Sequence, residues 1–213
     1  PFNLAGDRVK DIRLCQLSGG IATYGDKLNR RWVELPCAKI EYLKQWAKDC
    51  WNGSERRFIV WCFFNREVAR ITKELRAILG DDRVVAITGD EEKFLLVDNP
   101  MCRYNWSTFK DSFNSRAPGQ IQGIVAQISK LNAGANLQGC DDMIYFSHTW
   151  RYIHRKQSEE RPDRPGRIGS FRTQNLCYLK SKDEAILQAM TNHRDFAGSF
   201  DLQSYRELDL DEV

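Results

Sequence analysis

The chain has 213 residues, of which 42% are hydrophobic and 29% are charged, and its formal net charge at pH 7 is +3. This composition is ordinary for a globular protein and excludes a collagen, a coiled coil and a disordered chain. The longest apolar runs, such as residues 58–64, are far shorter than the roughly 18 residues that a membrane-spanning helix needs. A charge of +3 is too small to indicate nucleic-acid binding by itself.

The cysteines and histidines give no sign of a metal site. Seven cysteines are spread along the chain without a Cys-x-x-Cys pair, which favours a reducing compartment over a disulfide framework or a zinc site. His148 and His154 are six residues apart and do not share a helical face. No secretory segment is present and the first residue is Pro rather than Met, so we expect a cytoplasmic protein without membrane contact, either processed or part of a longer chain.

The first predicted elements lie in the N-terminal quarter. Residues 1–37 are predicted to be an irregular arm, because they show no sustained hydrophobic period and are interrupted by glycine and proline. An amphipathic helix is predicted from Ala38 to about Gly53. Its apolar residues recur at helical spacing: Ile40, Leu43, Ala47 and Cys50.

The pattern then changes to alternating strands and helices. The strand predicted at 57–64 consists, after Arg57, of a continuous apolar run, typical of a strand buried on both faces of a parallel sheet. Asn65 is a predicted N-cap of a helix that Gly80 ends. Further strands are predicted at 83–88, 121–128, 142–147 and 173–179, a loop at 90–105, and helices at 106–115, 151–161 and 182–192. This alternation predicts an α/β fold with a mainly parallel sheet covered on both faces.

Two polar segments follow predicted strands, where ligands of open α/β sheets bind. The first is residues 129–139, and the second begins with Trp150 and continues seven residues on with residues 157–167, within a strongly basic stretch. Arg161 and Arg164 are three residues apart and place two cationic forks near each other, which suits contact with phosphate oxygens. Such arginines can neutralise a transferring phosphoryl group, but another element must hold the phosphate. The chain contains no Gly-x-x-x-x-Gly-Lys-Ser/Thr loop for that purpose.

The order and spacing of these features resemble the C-terminal motor lobe of superfamily-two helicases, in particular the Swi/Snf-like branch with its phage and bacterial members. The shared features are the strand at 59–64, the Gly-x-Asn-Leu motif from Gly134, Trp150, and the Gln-x-x-x-Arg-x-x-Arg-x-Gly motif from Gln157 to Gly166. The similarity spans roughly residues 38–190. It implies a RecA-like three-layer αβα sandwich without the phosphate-binding loop.

The resemblance also implies a division of the chain and a function. The lobe would cover residues 38–197, with the irregular arm before it and an acidic tail at 198–213. It would be half of an ATP-dependent DNA helicase or translocase, inactive alone because the first lobe binds ATP with Mg²⁺. The implied partners are duplex DNA, bound without sequence preference, and the N-terminal motor lobe of the same polypeptide. The implied location is the cytoplasm of a bacterial or phage-infected cell.

Roles carry over from the family onto matching positions. Arg161 and Arg164 would face ATP as the catalytic arginines. The residues implied to contact the nucleotide are Gly134, Asn136 and Gln157. The residues implied to contact the nucleic-acid backbone are Asn65, Arg66, Ser129, Lys130 and Trp150.

Three departures from the family pattern keep alternatives open. Residues 131–133 replace a glycine-rich stretch, two prolines flank Arg164, and Arg167 stands where glutamine is commoner. One alternative is a DNA- or protein-docking module that has lost ATP hydrolysis. Another is an unrelated nucleotide-binding α/β domain, although the Gly-x-Gly-x-x-Gly spacing is absent. The simpler interpretations are a solvated basic face for the arginines, a packing anchor for Trp150 and a helix cap for Asn65.

Overall fold

The computed structural model describes residues 4–25, 29, 31–51, 56–88, 106–116, 120–131, 136–167 and 169–192. Gly134, the predicted loop at 90–105 and the acidic tail lie outside the described residues. The helices are α1 (Leu4–Ser18), α2 (Ala38–Trp51), α3 (Asn65–Leu79), α4 (Trp106–Ser115), α5 (Tyr152–Glu159) and α6 (Lys182–Thr191). The strands are β1 (Ile21–Tyr24), β2 (Arg31–Glu34), β3 (Phe58–Cys62), β4 (Val84–Ile87), β5 (Gly123–Gln127), β6 (Asp142–Tyr145) and β7 (Arg172–Asn175).

Five strands form a parallel sheet in the order β4-β5-β3-β6-β7. Strand β3 is central, and all five of its residues are buried, as the continuous apolar run predicted. Strand β7 lies at the edge and is mostly exposed. The remaining strands, β1 and β2, pair separately as an antiparallel hairpin.

Helices cover both faces of the sheet, because successive residues of each buried strand point to opposite sides. Ile59 and Trp61 of β3 belong to one core with side chains of α1, α4 and α6. Phe58 and Val60 belong to a second core with side chains of α2 and α3. The predicted three-layer αβα sandwich is therefore confirmed. None of the helices in the described part of the chain is long and apolar enough to cross a lipid bilayer.

The prediction that residues 1–37 are irregular was wrong, because this region contains α1 and the β1-β2 hairpin. Tertiary contacts stabilise α1: Ser18 Oγ donates to Asp183 Oδ2 at 2.8 Å, and Lys182 lies 2.8 Å from Asp11. The apolar side chains of α1 do not form one stripe, since Ile12 and Cys15 are buried whereas Val9, Leu14 and Leu17 are exposed. Such a helix depends on its neighbours rather than on its own periodicity.

Two predicted helix ends also shift. Phe64, not Asn65, occupies the N-cap position of α3, so Asn65 is the first residue of the helix rather than its cap. Helix α5 ends at Glu159, two residues before the predicted end. Pro162 disfavours helical geometry at the residue before it, which is Arg161.

Candidate functional site

Three loops meet at the carboxyl edge of the sheet, which we define as residues 63–66, 128–131 and 146–151 after β3, β5 and β6. Phe63 links the first loop to the third and to the last residue of β5, since its N–H donates to Ser147 Oγ at 2.7 Å and its carbonyl accepts from Gln127 Nε2 at 3.1 Å. The structure places all five residues implied in nucleic-acid contact at this edge: Asn65, Arg66, Ser129, Lys130 and Trp150. The adjacent parallel strands bring them together, although the residues are far apart in sequence.

Glu67 organises the backbone of this edge from inside the fold. It is 1% exposed, and its Oε2 accepts from Phe63 N at 3.3 Å, Phe64 N at 3.2 Å and Ser147 Oγ at 2.5 Å. A side chain at Gly19 would overlap Glu67 Oε1, so a larger residue there would require the carboxylate to move. One carboxylate therefore holds the loops after β3 and β6 and contacts the turn after α1.

Two buried titratable groups near this edge have shifted pKa values. Burial raises the pKa of Glu67 to about 7, against the opposing charge of Lys39 and the hydrogen bond from Ser147. Burial lowers the pKa of His148 to about 4, against the opposing charge of Asp183. His148 is thus a neutral imidazole at physiological pH, and its Nε2 lies 3.2 Å from Leu176 O.

A buried ion pair lies behind the same edge. Lys39 and Asp183 are 5% and 1% exposed, and their Nζ and Oδ2 atoms are 2.7 Å apart. Lys39 Nζ also donates to Phe146 O at 2.8 Å. Because both charges are paired and hydrogen-bonded, the pair connects α2, α6 and the end of β6 without an uncompensated buried charge.

The side chains implied in nucleic-acid contact differ in exposure. Lys130 is exposed, whereas Ser129, Asn65 and Arg66 are partly buried. Trp150 is 5% exposed and meets the Phe63 ring edge-on, with the centroids 4.5 Å apart. Trp150 therefore packs against Phe63, in the segment that leads into Asn65 and Arg66 of α3, which is the simpler of the two roles considered for it.

The second site is the arginine loop, residues 160–167, which follows α5. The structure docks it onto residues 136–140: Leu137 N donates to Arg161 O at 3.2 Å, and Gln138 Nε2 donates to Pro165 O. The two motifs that sequence analysis singled out, one around Asn136 and one around Arg161, thus lie side by side.

Arg167 stabilises this docking. Its guanidinium donates to Gln138 O at 2.9 Å, Cys140 O at 2.7 Å and Gly169 O at 2.9 Å, and it lies 4.9 Å from the centroid of the Phe171 ring. Gly166 adopts φ +94° just before it, a conformation that suits glycine. The residue that departs from the family's usual glutamine is therefore a structural clamp in this chain.

The two catalytic candidates have different environments. Arg161 is 4% exposed, whereas Arg164 is exposed. Burial lowers the pKa of Arg161, and the nearby charge of Arg164 lowers it further. The helical presentation typical of the family is replaced by turns, in which Arg164 N donates to Pro162 O at 3.2 Å. Arg164 thus offers its charge to solvent, or to a group brought from outside the chain.

The nucleotide candidates are only partly described. Asn136 is exposed and its carbonyl accepts from Asn114 Nδ2 at 2.9 Å, and Gln157 is partly buried. Gly134 lies outside the described residues. Asn136 thus lies beside the arginine loop, through the Leu137 contact, and Gln157 lies on the helix that leads into that loop.

Sequence reasoning missed Glu67, Ser147 and the clamp formed by Arg167. Glu67 carried a detectable signal, because it lies three residues after the N-cap of an apolar-striped helix, where Glu reaches back to the N-cap backbone. Ser147 had no such signal, since only the register of β3 against β6 brings its hydroxyl to Phe63.

The fold, a five-stranded parallel sheet flanked by helices, matches that of a RecA-like C-terminal lobe. Among solved structures, the chain is similar to the C-terminal part of the Fun30 ATPase domain, with a TM-score of 0.55 and 17% sequence identity. The match covers 71% of this chain and 44% of the Fun30 chain, so this chain spans less than half of that structure. No protein-family model matches the sequence, and no curated protein sequence matches it at a significant level.

Proposed function

We propose that this chain is the C-terminal lobe of an ATP-dependent DNA helicase or translocase of the Swi/Snf-like type, similar to phage and bacterial members. One observation carries the proposal: the arginine loop is docked onto residues 136–140, so that the two motifs shared with that family form one surface. The fold shared with an ATPase lobe supports it. The implied setting is the cytoplasm of a bacterial or phage-infected cell.

The proposed role of the arginine loop is electrostatic. ATP with Mg²⁺ would be held mainly by an N-terminal lobe, with Asn136, Gln157 and Gly134 contributing from this chain. Arg164 is exposed and can place its guanidinium against phosphate oxygens across a cleft, where it would neutralise charge developing on the transferring group. Arg161 is buried beside it and would orient the loop and add positive potential. This chain alone would not hydrolyse ATP.

The proposed role of the carboxyl edge is to grip the DNA backbone. Arg66 and Lys130 supply positive charge. Helix α3 is 15 residues long and begins at Asn65, so the positive end of its dipole lies at this edge. Buried Glu67 holds the backbone of the preceding loop in place by accepting a hydrogen bond from Phe64 N. Contacts of this kind do not depend on base sequence and weaken steeply as salt rises.

Steady-state ATP hydrolysis tests the proposal, measured with and without duplex DNA for this chain and for the longest protein of its reading frame. We expect only the longer protein to hydrolyse ATP, with stimulation by DNA. Arg164→Ala should lower kcat by roughly 10³-fold or more while DNA affinity changes little. Lys156→Ala, an exposed cation on the neighbouring α5, is the matched control and should leave kcat unchanged.

The same experiment distinguishes the second candidate function, a docking module. If no version hydrolyses ATP and the longer protein still binds DNA, the motor proposal is wrong and the module is favoured. If Arg164→Ala and Lys156→Ala have equal kcat values in an active protein, the lobe belongs to a motor but Arg164 is not its catalytic arginine.

A further inference from the structure

A groove of about 390 Å³ separates strand β2 from the outer face of α3. Four basic residues on that face recur every three or four positions, so they form one stripe along the helix. They are Arg66, Arg70, Lys73 and Arg76. The stripe extends about 15 Å at 1.5 Å per residue. Trp32 and Glu34 of β2 line the opposite wall. We call this feature the basic groove.

Two of the four basic residues stabilise the walls of the groove. Arg70 donates to Gly20 O at 2.6 Å and to Leu35 O at 2.9 Å, which fixes the β1-β2 hairpin against α3. Arg70 also lies 3.4 Å from the carboxylate of Glu34, so that acid is already paired. Arg76 donates to Val84 O at 3.0 Å. Asp81 is a second acid in the lining, so the four basic residues face two acids and the net charge of the groove is positive.

Arg66 and Lys73 carry the positive charge nearer to solvent. Arg66 lies over Trp32, with Cζ 4.4 Å from the ring centroid, and Lys73 is exposed. Trp32 is 43% exposed although it is a large aromatic, so part of its ring surface is presented to solvent.

We propose that the basic groove binds single-stranded nucleic acid, with an unpaired base against Trp32 and backbone phosphates at Arg66 and Lys73. An aromatic ring beside a row of cations is the combination that single-strand binding surfaces use. The inference deepens the proposed function and rests on it, because Arg66 is also a contact at the carboxyl edge, where the groove begins. The groove would give this lobe a path for one strand along α3, in addition to its grip at the sheet edge.

The experiment is a fluorescence-anisotropy titration of a labelled oligothymidylate with the whole 213-residue chain. Lys73→Glu should weaken binding at least about 10-fold and reduce the salt slope by about one. Trp32→Ala should weaken binding roughly 5- to 100-fold through lost stacking. Lys48→Glu, the same charge change at an exposed position of α2, is the matched control and should stay within about twofold. Lys73→Gln removes the positive charge without reversing it. Weaker binding by this variant as well would show that misfolding caused by charge reversal is not the reason for the loss.

Further arms of the titration separate the possible failures. If Lys130→Glu weakens binding while Lys73→Glu and Trp32→Ala match Lys48→Glu, the groove is not a binding site and the proposed function stands. If the groove variants lose binding but the longer protein shows no DNA-stimulated ATP hydrolysis, the groove stands and the motor proposal fails.

Two other outcomes would overturn the inference itself. Equal affinity for a duplex, with no effect of Trp32→Ala, would show that no unpaired base is recognised. Binding of a polyglutamate peptide in place of the oligonucleotide, lost in Lys73→Glu, would show that the groove takes an acidic protein segment instead.

Discussion

The carboxyl edge and the arginine loop are held in place by opposite means. At the carboxyl edge a buried acid, Glu67, accepts hydrogen bonds from the loop backbone. In the arginine loop a partly exposed cation, Arg167, donates to backbone carbonyls. A carboxylate with a pKa near 7 gains or loses its charge around physiological pH, whereas a guanidinium stays charged at every pH a protein tolerates. The two sites should therefore respond differently to mutation and to pH.

The largest expected effect is the loss of Glu67. Glu67→Ala removes the carboxylate acceptor of Phe64 N and Ser147 Oγ, both buried, whereas Phe63 N keeps its shorter hydrogen bond to Ser147 Oγ. Unpaired buried donors cost about 1–3 kcal/mol each, and we expect the free energy of unfolding to fall by about 4 kcal/mol in urea denaturation. Glu67→Gln keeps an acceptor oxygen and should lose less than half as much. A loss below about 1 kcal/mol for the alanine variant would contradict the role given to this carboxylate.

The pH dependence of the free energy of unfolding should distinguish the carboxyl edge from the arginine loop. The pKa of Glu67 in the folded chain is raised to about 7. Its stabilising contribution to the free energy of unfolding is therefore present below pH 4.5 and is lost as pH rises towards 7. The pKa of His148 in the folded chain is lowered to about 4. Its stabilising contribution to the free energy of unfolding is therefore present above pH 6.5 and is lost as pH falls towards 4. The two slopes oppose each other, and the unfolding free energy should be nearly flat between pH 4.5 and 6.5.

Glu67→Gln should remove the opposing Glu67 slope and reveal the slope that His148 contributes. Its unfolding free energy should rise by about 3 kcal/mol between pH 4 and 6.5, at 1.36 kcal/mol per pKa unit, as measured by urea denaturation at several pH values. Arg167→Ala should keep the flat profile of the unmodified chain, because it removes no group that titrates in this range. A flat profile in Glu67→Gln would show that the two groups do not oppose each other.

The smallest expected effect separates two residues of the same loop. Arg167→Ala removes four hydrogen bonds to carbonyls and should cost about 2 kcal/mol, with faster proteolysis within residues 160–170. Arg164→Ala removes an exposed side chain and should change stability by less than about 0.5 kcal/mol. If the Arg164 variant were the less stable of the two, the assignment of Arg167 as the clamp and Arg164 as the solvent-facing arginine would be reversed.

Much of the fold was predictable because its elements carry strong local patterns. The apolar run of β3, the apolar stripe of α3 and the glycine after it specify buried elements whatever surrounds them. The candidate site was partly predictable for the same reason, since polar residues after buried parallel strands must meet at one edge. The N-terminal helix was not predictable, because α1 has no apolar stripe and depends on contacts such as Ser18 with Asp183, 165 residues apart.

Local pattern alone was thus enough to predict the α/β class and the central strands, and it singled out the two polar segments that the fold brings into contact. Only the tertiary structure decided which arginine supports the loop and which faces solvent, that an acid lies buried under the carboxyl edge, and that Trp32 stacks on Arg66. The physical reason is that hydrophobic periodicity acts over neighbouring residues, whereas burial, hydrogen-bond partners and pKa values depend on groups that come together only when the sheet is assembled.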